Sequence, residues 1–224
     1  NLGNNSASIS TFTNMSGGSI TGTSVNDYGN GFYNNSTLTT FTNSGSISGL
    51  STNSLGMGIN NYTSGSISDF TNSGTISGSS YGIANSGTIS SLKISSTGSI
   101  SGTSIGILNS GTITTLTNGQ GGDASQASNT ALTFSGSLPT NYNILISSST
   151  HYGQIDVSNG SGTLTFGVDS SSALSLGTYS GIITGVSSSQ ISNSSATGVL
   201  GAYSWELIEN SSQYWNLAVA RNVS

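Results

Sequence analysis

Few side chains in this 224-residue sequence could perform acid–base chemistry. Carbohydrate-cleaving enzymes place two carboxylates about 5–10 Å apart, as acid and as base or nucleophile. The acids of this chain fall at unrelated positions of a repeat, which favours solvated turn residues over a catalytic pair. They are Asp27, Asp69, Asp123, Asp156, Asp169, Glu206 and Glu209.

His151 is the only histidine, so it is the one candidate for a histidine general base. With Asp156 and one of many serines it would complete a Ser-His-Asp triad. A triad is defined by geometry, and serine is so abundant here that a nearby serine carries little information. We therefore expect His151 to be an ordinary surface residue, and we expect the protein not to be an enzyme.

Metal and cofactor sites have no recognisable signature in the sequence. One histidine without cysteine cannot supply the three or four ligands of a zinc site. The Gly29-x-Gly31 and Gly56-x-Gly58 pairs lack the rest of a phosphate-binding or dinucleotide-binding motif. The sequence predicts neither a metal nor a cofactor requirement.

The charge pattern argues against several classes of partner. Charged residues make up 4% of the chain, the formal net charge is −5, and Lys93 and Arg221 are the only basic side chains. Such a surface offers no electrostatic footprint for nucleic acid or for an anionic membrane. The apolar run at residues 144–146 is too short to insert into a bilayer. A surface of Ser, Thr, Asn and Gly with almost no Lys favours an extracellular or bacterial outer-surface location.

An internal repeat determines the secondary structure on which these residues lie. The phrase Asn-Ser-Gly-Thr-Ile begins at Asn72, Asn85 and Asn109. Apolar residues recur around it in four series, although the spacing of the first series varies from 22 to 29 residues. That is expected of a solenoid whose coils keep their core positions and differ in loop length. The series are Ile9, Leu38, Ile67, Ile89 and Ile113; Phe12, Phe41, Phe70, Leu92 and Leu116; Ile20, Ile47, Ile76 and Ile100; and Phe32, Ile59, Ile83 and Ile107.

Local chemistry favours strands over helices in these repeats. Segments such as Gly-Thr-Ile-Ser alternate polar and apolar residues and are bounded by Gly, Asn and Ser. Helix formers are scarce, and no glutamate precedes Glu206. We therefore predict an all-β fold, a parallel β-helix (β-solenoid), in which each coil buries its apolar side chains against those of the next.

Two asparagine series and one glycine series accompany the apolar ones. Stacked Asn side chains can hydrogen-bond from coil to coil, as in other stacked sheets. A recurring glycine suits a corner, because glycine adopts left-handed backbone angles without steric cost. The Asn series are Asn34, Asn61, Asn85 and Asn109, and Asn14, Asn43, Asn72 and Asn118, the second interrupted by Ile94. The glycines are Gly31, Gly58, Gly82 and Gly106.

The sequence divides into three parts. Residues 1–118 carry the regular coils, and residues 119–200 keep strand-like runs without the Asn-Ser-Gly phrase. Residues 201–224 hold two aromatic runs around Asn210-Ser-Ser, which predicts a hairpin. A solenoid end exposes its core and unpaired edges, so this hairpin would serve as a C-terminal cap. The cap residues are Tyr203, Trp205, Tyr214 and Trp215, and we expect the two tryptophans to lie nearly opposite each other.

The Asn-Ser-Gly-Thr-Ile repeats, followed by Gly177-Thr-Tyr, Tyr203-Ser-Trp-Glu-Leu and Tyr214-Trp-Asn-Leu, resemble the end of an autotransporter passenger over nearly the whole chain. Autotransporters are bacterial type V secretion proteins exported through their own outer-membrane barrel. The resemblance implies a right-handed β-helix whose last coils act as a folding cap, on a secreted or cell-surface protein that is commonly an adhesin. No barrel domain is visible in the sequence, so we expect that it was removed or that secretion follows another route.

Binding is expected at the insertions, because loops on a rigid scaffold commonly carry function. The first two coils are the long ones, with insertions at residues 23–33 and 50–62. Tyrosine combines apolar area with a polar tip and suits sugar or protein surfaces. The alternative is that the aromatic residues fold back over their own coils. The candidate binding residues are Asp27, Tyr28, Tyr33, Leu55, Met57 and Tyr62.

Two functions fit this combination of scaffold and loops. The first is a surface passenger module for adhesion or self-association, whose partners are a host or bacterial surface glycan or protein, or copies of itself. The second is a structural subunit of an extracellular filament or sheath, built by end-to-end stacking. The first predicts a well-capped C-terminus, whereas the second predicts an N-terminal coil left open for another chain.

Overall fold

The structure, a computed structural model, describes residues 8–122 and 130–222. In this part of the chain it is a parallel β-solenoid of about seven turns that ends in an antiparallel hairpin. The fold predicted from the repeat is therefore confirmed. The only helical element among the described residues is one 3-10 turn, Ser188–Gln190. Asp123, one of the seven acids, lies outside the described residues.

Eighteen strands form the turns, and three more form the C-terminal cap. Each of the first four turns contributes three strands, and each later turn contributes two. In chain order the turns contain β1 (Ser8–Asn14), β2 (Ser19–Ser24), β3 (Gly29–Asn34), β4 (Thr37–Asn43), β5 (Ser46–Ser51), β6 (Gly56–Asn61), β7 (Ser66–Asn72), β8 (Thr75–Gly78), β9 (Tyr81–Asn85), β10 (Thr88–Ile94), β11 (Ser99–Gly102), β12 (Ile105–Asn109), β13 (Thr112–Asn118), β14 (Leu132–Ser137), β15 (Asn141–Ile144), β16 (Ile155–Ser161), β17 (Thr165–Val168) and β18 (Gly177–Thr184). The cap contains β19 (Thr197–Leu200), β20 (Tyr203–Ser211) and β21 (Tyr214–Arg221).

The strands stack into three sheets that run along the solenoid. Sheet A joins the first strand of every turn, in the order β1-β4-β7-β10-β13-β15-β17. Sheet B joins the second strand of the first four turns, in the order β2-β5-β8-β11. Sheet C joins the last strand of every turn, from β3 to β18, and then continues through antiparallel pairs into β21, β20 and β19.

The apolar series predicted from the sequence are the rungs of a continuous core. Strand pairing stacks each member of a series on the next in direct register. Rungs of the second and third turns, such as Ile47 and Ile76, are completely excluded from solvent. Each core side chain is covered on both sides by the equivalent side chains of the adjacent turns. A single turn therefore has no core of its own and is stabilised only by packing against its neighbours.

Two of these series extend beyond the regular repeats into the second half of the chain. Tyr142 and Phe166 continue the phenylalanine series of sheet A, and Phe134 and Val157 continue the series of sheet C. Burial raises the pKa of the Tyr142 hydroxyl, and a hydrogen bond from the Asn118 amide opposes this only in part. The phenol therefore stays neutral inside the core.

Buried asparagine side chains bind successive turns to one another. In each series the amide Nδ2 donates to Oδ1 of the Asn one turn further on, at 2.7–2.8 Å. The coil-to-coil hydrogen bonds predicted from the sequence are therefore confirmed, and they give these buried amides the partners that they require. The bonded pairs are Asn14–Asn43, Asn43–Asn72, Asn34–Asn61, Asn61–Asn85 and Asn85–Asn109.

The glycine series of sheet C does not have the role predicted for it. Gly31, Gly58, Gly82 and Gly106 all have negative φ, so left-handed geometry does not explain them. A Cβ on Gly58 would instead lie 2.7 Å from the carbonyl oxygen of Gly82 and 2.7 Å from Cγ2 of Ile76. Glycine is required there because the strand passes close to the next turn and to sheet B.

The C-terminal hairpin predicted from the aromatic runs is confirmed, and it closes sheet C. β21 pairs with β18 in the antiparallel sense, which gives the last parallel strand a hydrogen-bonded neighbour. Trp215 is 1% exposed, and its indole N–H donates to the carbonyl of Val186 at 2.8 Å. The ring of half-buried Trp205 lies 5.8 Å from that of Phe166, edge to face.

The two tryptophans are not opposite each other, so that expectation is wrong. Strand pairing sets Trp205 against Val219 and Trp215 against Glu209. Each tryptophan therefore covers a different part of the last turn. Of the other two proposed cap residues, Tyr203 packs half-buried against the core, whereas Tyr214 is exposed on the outside.

Side-chain amides close the two sheets that the hairpin does not extend. Gln120 Oε1 accepts the N–H of Ile100 at 2.8 Å, and its Nε2 donates to the Ile100 carbonyl at 3.2 Å, so it replaces a further strand beside β11. Asn193 does the same for Phe166 on β17, with both contacts at 2.8 Å. The last parallel strand of each sheet thus has a hydrogen-bonded neighbour on its C-terminal side, as buried backbone groups require.

The N-terminal end of the described solenoid is different. β1, β2 and β3 are the outermost strands of their sheets, and none of the described residues pairs with their outer edges. The residues that begin the four core series, Ile9, Phe12, Ile20 and Phe32, are only half-buried. Among the described residues, nothing covers the surface here that each later turn buries against its neighbour.

Candidate functional site

The two insertions predicted to carry binding lie side by side and form one surface, which we name the insertion ridge: residues 25–28 of the first turn and residues 52–55 of the second. The Asn53 N–H donates to the Val25 carbonyl at 2.9 Å, and the Asn53 amide donates to Asn26 Oδ1 at 2.8 Å. Ser51 Oγ donates to the Asp27 carbonyl, also at 2.8 Å. These bonds join the loops into a single supported surface.

Exposed apolar side chains concentrate on the insertion ridge and next to it. Val25 is 60% exposed, Tyr28 is 55% exposed and Leu55 is 37% exposed. Of the ten exposed large apolar side chains in the described part of the chain, six belong to the first two turns and none lies between residues 63 and 175. A contiguous exposed apolar patch marks an interaction site more often than single exposed residues do.

Two further candidates, Tyr33 and Tyr62, pack against each other with tilted rings across the first two turns. Their ring centroids are 5.9 Å apart, and Tyr62 is half exposed. Tyr33 lies five residues after Tyr28, mostly along β3, which at about 3.3 Å per residue places this pair on the order of 16 Å from the insertion ridge. The predicted tyrosines therefore form two patches, not one.

Met57 does not lie in a loop, contrary to the expectation from the sequence. It is 4% exposed within β6, where it pairs with Asn30 on one side and Tyr81 on the other. The second insertion is shorter than it appears in the sequence because β6 already begins at Gly56. Met57 is therefore part of the scaffold and not of the exposed surface.

A concave site of about 550 Å³ opens beside the insertion ridge. All of its walls come from the first turn: Gly22 and Thr23, Asp27 and Tyr28, and residues 30–33. One Asp27 carboxylate oxygen accepts the N–H of Tyr28 at 2.7 Å, which fixes the carboxylate at the rim. Asn30 Oδ1 is buried without a hydrogen-bond partner among the described residues. These polar groups beside aromatic rings suit a ligand that carries hydroxyl or amide donors.

A second groove, of about 500 Å³, crosses the cap. Thr178, Ser204 and Ala218 are among its lining residues, with Glu206 the one acid. Its only aromatic ring, Trp205, already packs against Phe166 and is not free to stack on a ligand. This groove is the weaker of the two candidates.

The acids are dispersed in the described chain, where no group of three or more His, Asp or Glu side chains could hold a metal ion. Asp156 accepts a hydrogen bond from Thr184 Oγ1 at 2.9 Å. Asp169 lies 3.7 Å from Lys93 Nζ. Burial raises the pKa of Asp169, but hydrogen bonds from Ser171 and the charge of Lys93 outweigh that effect and hold this pKa below its ordinary value. The Asp156 carboxylate bridges the adjacent strands β16 and β18, whereas Asp169 reaches from the end of β17 to β10, three strands away in sheet A.

His151 is buried, so the expectation of a surface histidine is wrong. It is 6% exposed, and neither ring nitrogen has a hydrogen-bond partner among the described residues. Its carbonyl accepts the N–H groups of Ser147 and Ser148, which closes a tight turn. The Asp156 carboxylate is bonded to Thr184 instead of the imidazole, so the His–Asp pair of a triad is not formed.

Two segments match Gly-x-Ser-x-Gly, a pattern found around hydrolase nucleophiles, at residues 78–82 and 102–106. In hydrolases that serine occupies a sharp turn from a strand into a helix. Here both segments form the corner between sheet B and sheet C, where one strand follows another. Ser80 is buried, and its Oγ accepts the N–H of Gly56 from the preceding turn at 3.3 Å. Its role is to connect turns.

Comparison of the chain with family models, with curated proteins and with solved structures finds no match. The resemblance to autotransporter passengers therefore has no support from these comparisons. Among the described residues, no helix has the length and hydrophobicity needed to cross a membrane. Functional inference rests on the geometry of the first two turns and of the two ends.

Proposed function

We propose that the protein is a β-solenoid module for adhesion or self-association, acting in the extracellular space or on a bacterial surface, and that its first two turns make the contact. The observation that carries this proposal is the distribution of exposed apolar side chains: six in the first two turns and none between residues 63 and 175 of the described chain. A stiff stack of turns with its apolar patch near one end suits the presentation of a contact surface.

The partner that this surface fits best is a glycan or a protein. Tyr28, Tyr33 and Tyr62 offer ring faces with hydroxyl tips, which suit both. Asp27 is the only charged residue in the first two turns, so electrostatic attraction contributes little to recognition. The proposal includes no catalysis and no cofactor, and its partners are neither nucleic acid nor membrane.

The two ends of the solenoid bear differently on the filament alternative: the N-terminal edges are unpaired among the described residues, as this alternative predicts, but the C-terminal edges argue against it. Stacking head to tail needs open strand edges at both ends. The C-terminal edges are occupied by Gln120, Asn193 and the hairpin. The strand left outermost there, β19, spans only four residues.

A bead-adhesion assay tests the proposed function. Beads coated with the protein are added to surfaces that carry arrayed glycans, matrix proteins or the protein itself. Leu50→Ser with Leu55→Ser removes exposed apolar area from the second turn and leaves the core intact. Burying two leucines contributes on the order of 2–4 kcal/mol, so this variant should retain at most about a tenth of the adhesion.

Leu176→Ser is the matched control, because Leu176 is also exposed but lies near the C-terminal end. It should adhere like the parent. Equal adhesion of the parent and the Leu50/Leu55 variant on every surface would refute a contact made by the first two turns.

A further inference from the structure

The chain contains three Asn-Gly pairs, which begin at Asn30, Asn118 and Asn159. In such a pair the backbone nitrogen of the glycine can attack the side-chain amide of the asparagine, because no Cβ on the second residue hinders the approach. The three sites share this reactive sequence and differ in their structural surroundings. The structure therefore indicates which of them is able to react.

Asn159 lies at a β-bulge in β16. Where β14 advances by one residue, from Ser135 to Gly136, its partner on β16 advances by two, so Asn159 has no partner in the ladder. Its φ of 53° is left-handed, a conformation that asparagine tolerates better than most residues. The side chain is exposed, and its amide makes no hydrogen bond within the described part of the chain.

The nitrogen of Gly160 is not held by the sheet. The Ser161 carbonyl accepts the N–H of Leu138 in the preceding turn, so the N–H of Gly160 points the other way, toward the following turn. On that side β18 pairs only with the first two residues of β16. A Cβ on Gly160 would lie 2.8 Å from Cγ1 of Val157, which explains why the bulge has glycine at this position.

The surroundings of Asn118 prevent the same reaction. Asn118 is completely buried, its Nδ2 donates to the Gln154 carbonyl at 2.9 Å, and its Oδ1 accepts the N–H of Gln120 at 2.9 Å. The N–H of Gly119 donates to the Ile94 carbonyl at 2.8 Å. The amide and the attacking nitrogen are therefore both engaged in hydrogen bonds.

Close packing holds the pair at Asn30. This residue lies in β3, pairs with Met57, and has a buried Oδ1. A Cβ on Gly31 would lie 2.7 Å from the carbonyl oxygens of both Gly58 and Ser48, so the backbone has little room to rotate toward the side chain. Only the third pair combines an exposed amide with a nitrogen outside the ladder.

We propose that Asn159 is a site of spontaneous deamidation. The nitrogen of Gly160 attacks Cγ of Asn159 and closes a cyclic imide, while the bond from Cγ to Nδ2 breaks. Nδ2 leaves as ammonia and takes with it the proton of the attacking N–H. Water then opens the imide at either carbonyl, which yields aspartate or isoaspartate. Water is the only co-reactant, and this modification is independent of the proposed function.

The bulge also allows the fold to tolerate the product. Isoaspartate adds one carbon to the main chain, which in a regular strand would disturb the register of the pairs that follow. Asn159 is already outside the ladder, so the added carbon falls where the strand carries an unpaired residue. The protein should keep its fold and gain one negative charge beyond its formal −5.

Ageing of the whole chain in mildly alkaline buffer tests this assignment. Peptic peptides, prepared in acid to stop the reaction, are analysed by mass spectrometry with fragmentation that separates isoaspartate from aspartate. Conversion at Asn159 should exceed conversion at Asn118 and Asn30 by about 10-fold or more, because those two react only after local unfolding. No conversion at Asn159, or equal conversion of the three sites, would overturn the proposal.

The same incubation in urea is the matched control. Unfolding removes the burial and the hydrogen bonds, so the three Asn-Gly pairs should react at similar rates. A preference for Asn159 that persists in urea would mean that the flanking residues, and not the fold, select the site. That result would also overturn the proposal.

Asn159→Gln supplies a second readout in the intact chain. The longer side chain closes its ring far more slowly, so ageing should produce little isoaspartate, measured by enzymatic methylation with a labelled methyl donor. Equal labelling of the aged parent and of this variant would place the reaction elsewhere and refute the site. The aged parent should also keep its Tm, and a fall in Tm that follows conversion would refute the role of the bulge in tolerating the product.

Discussion

The two ends of the solenoid are built from the same stacked rungs but finish differently. At the C-terminal end an antiparallel hairpin and two side-chain amides occupy the edges of the three sheets. At the N-terminal end of the described chain the same sheets finish on free edges, and the core residues are half in water. Every coil leaves unpaired strand edges that the next coil can pair with, so a further coil can always be added. Ending the solenoid requires additional residues that occupy these edges.

The largest contrast between the ends should come from their aromatic residues. Trp215→Ala removes a buried ring and the hydrogen bond to Val186, and should lower the free energy of unfolding by about 3–5 kcal/mol. Phe12→Ala removes a ring that is already partly in water, so the loss should be about 1–2 kcal/mol. Urea denaturation of monomeric protein, followed by circular dichroism, measures both. Equal losses would show that the C-terminal end is no better closed than the N-terminal one.

The next contrast concerns the edges of sheet B. Gln120→Leu leaves the N–H and C=O of Ile100 buried without partners, and should cost about 2–4 kcal/mol. Thr21→Leu, on the open edge strand of the same sheet, should change stability by less than about 0.5 kcal/mol. Hydrogen exchange of the Ile100 amide should accelerate in the first variant alone. An unchanged exchange rate would mean that Gln120 does not act as an edge partner.

A smaller contrast separates the middle of an asparagine series from its first member. Asn61 accepts from Asn34 and donates to Asn85, so Asn61→Ala should cost about 2–3 kcal/mol. Asn14 bonds to a single Asn neighbour, Asn43, and Asn14→Ala should cost about 1 kcal/mol. Thermal unfolding monitored by circular dichroism compares the two. If Asn14→Ala lowers Tm by as much as Asn61→Ala, the first turn is as firmly held as the interior.

The smallest effect should come from the ion pair near the closed end, between Lys93 on β10 and Asp169 after β17. The folded-state pKa of Asp169 is lowered, so the pair stabilises the protein above the ordinary pKa of 3.8, and the contribution is lost as pH falls through the folded-state pKa. Lys93→Gln should cost less than about 1 kcal/mol at pH 7, and less still near pH 2. Urea denaturation at both pH values measures this. A cost that grows in acid would contradict the assigned direction.

The repeat made the core predictable from the sequence. Ile47 and Ile76 occupy the same place in successive copies of one pattern, and so do Asn34 and Asn61, so their register follows from alignment of the repeats. The aromatic hairpin was also recognisable, because its two runs flank a turn. The sequence pattern was sufficient to predict a contact wherever a residue packs against the equivalent residue of the next repeat.

Residues whose partners lie outside the repeat could not be predicted in this way. Gln120 reaches Ile100 and Asn193 reaches Phe166, and no periodicity connects either pair. His151 is buried by irregular chain that no pattern describes. The sequence does not show whether Asn30 and Met57 lie in loops or in strands. The strand pairing of the structure places both in strands, where Asn30 lines the concave site and Met57 is buried.

The asparagine series also determine how the molecule responds to force. Their hydrogen bonds run along the solenoid axis, from each turn to the next, so an axial pull loads the turns in succession and not all together. The capped end holds, and turns detach first from the open end. A detached turn of 24–29 residues lengthens the chain by about 80–100 Å at roughly 3.4 Å per residue. Under tension the rod would therefore extend stepwise, and the first two turns, which carry the insertion ridge, would detach before the capped end.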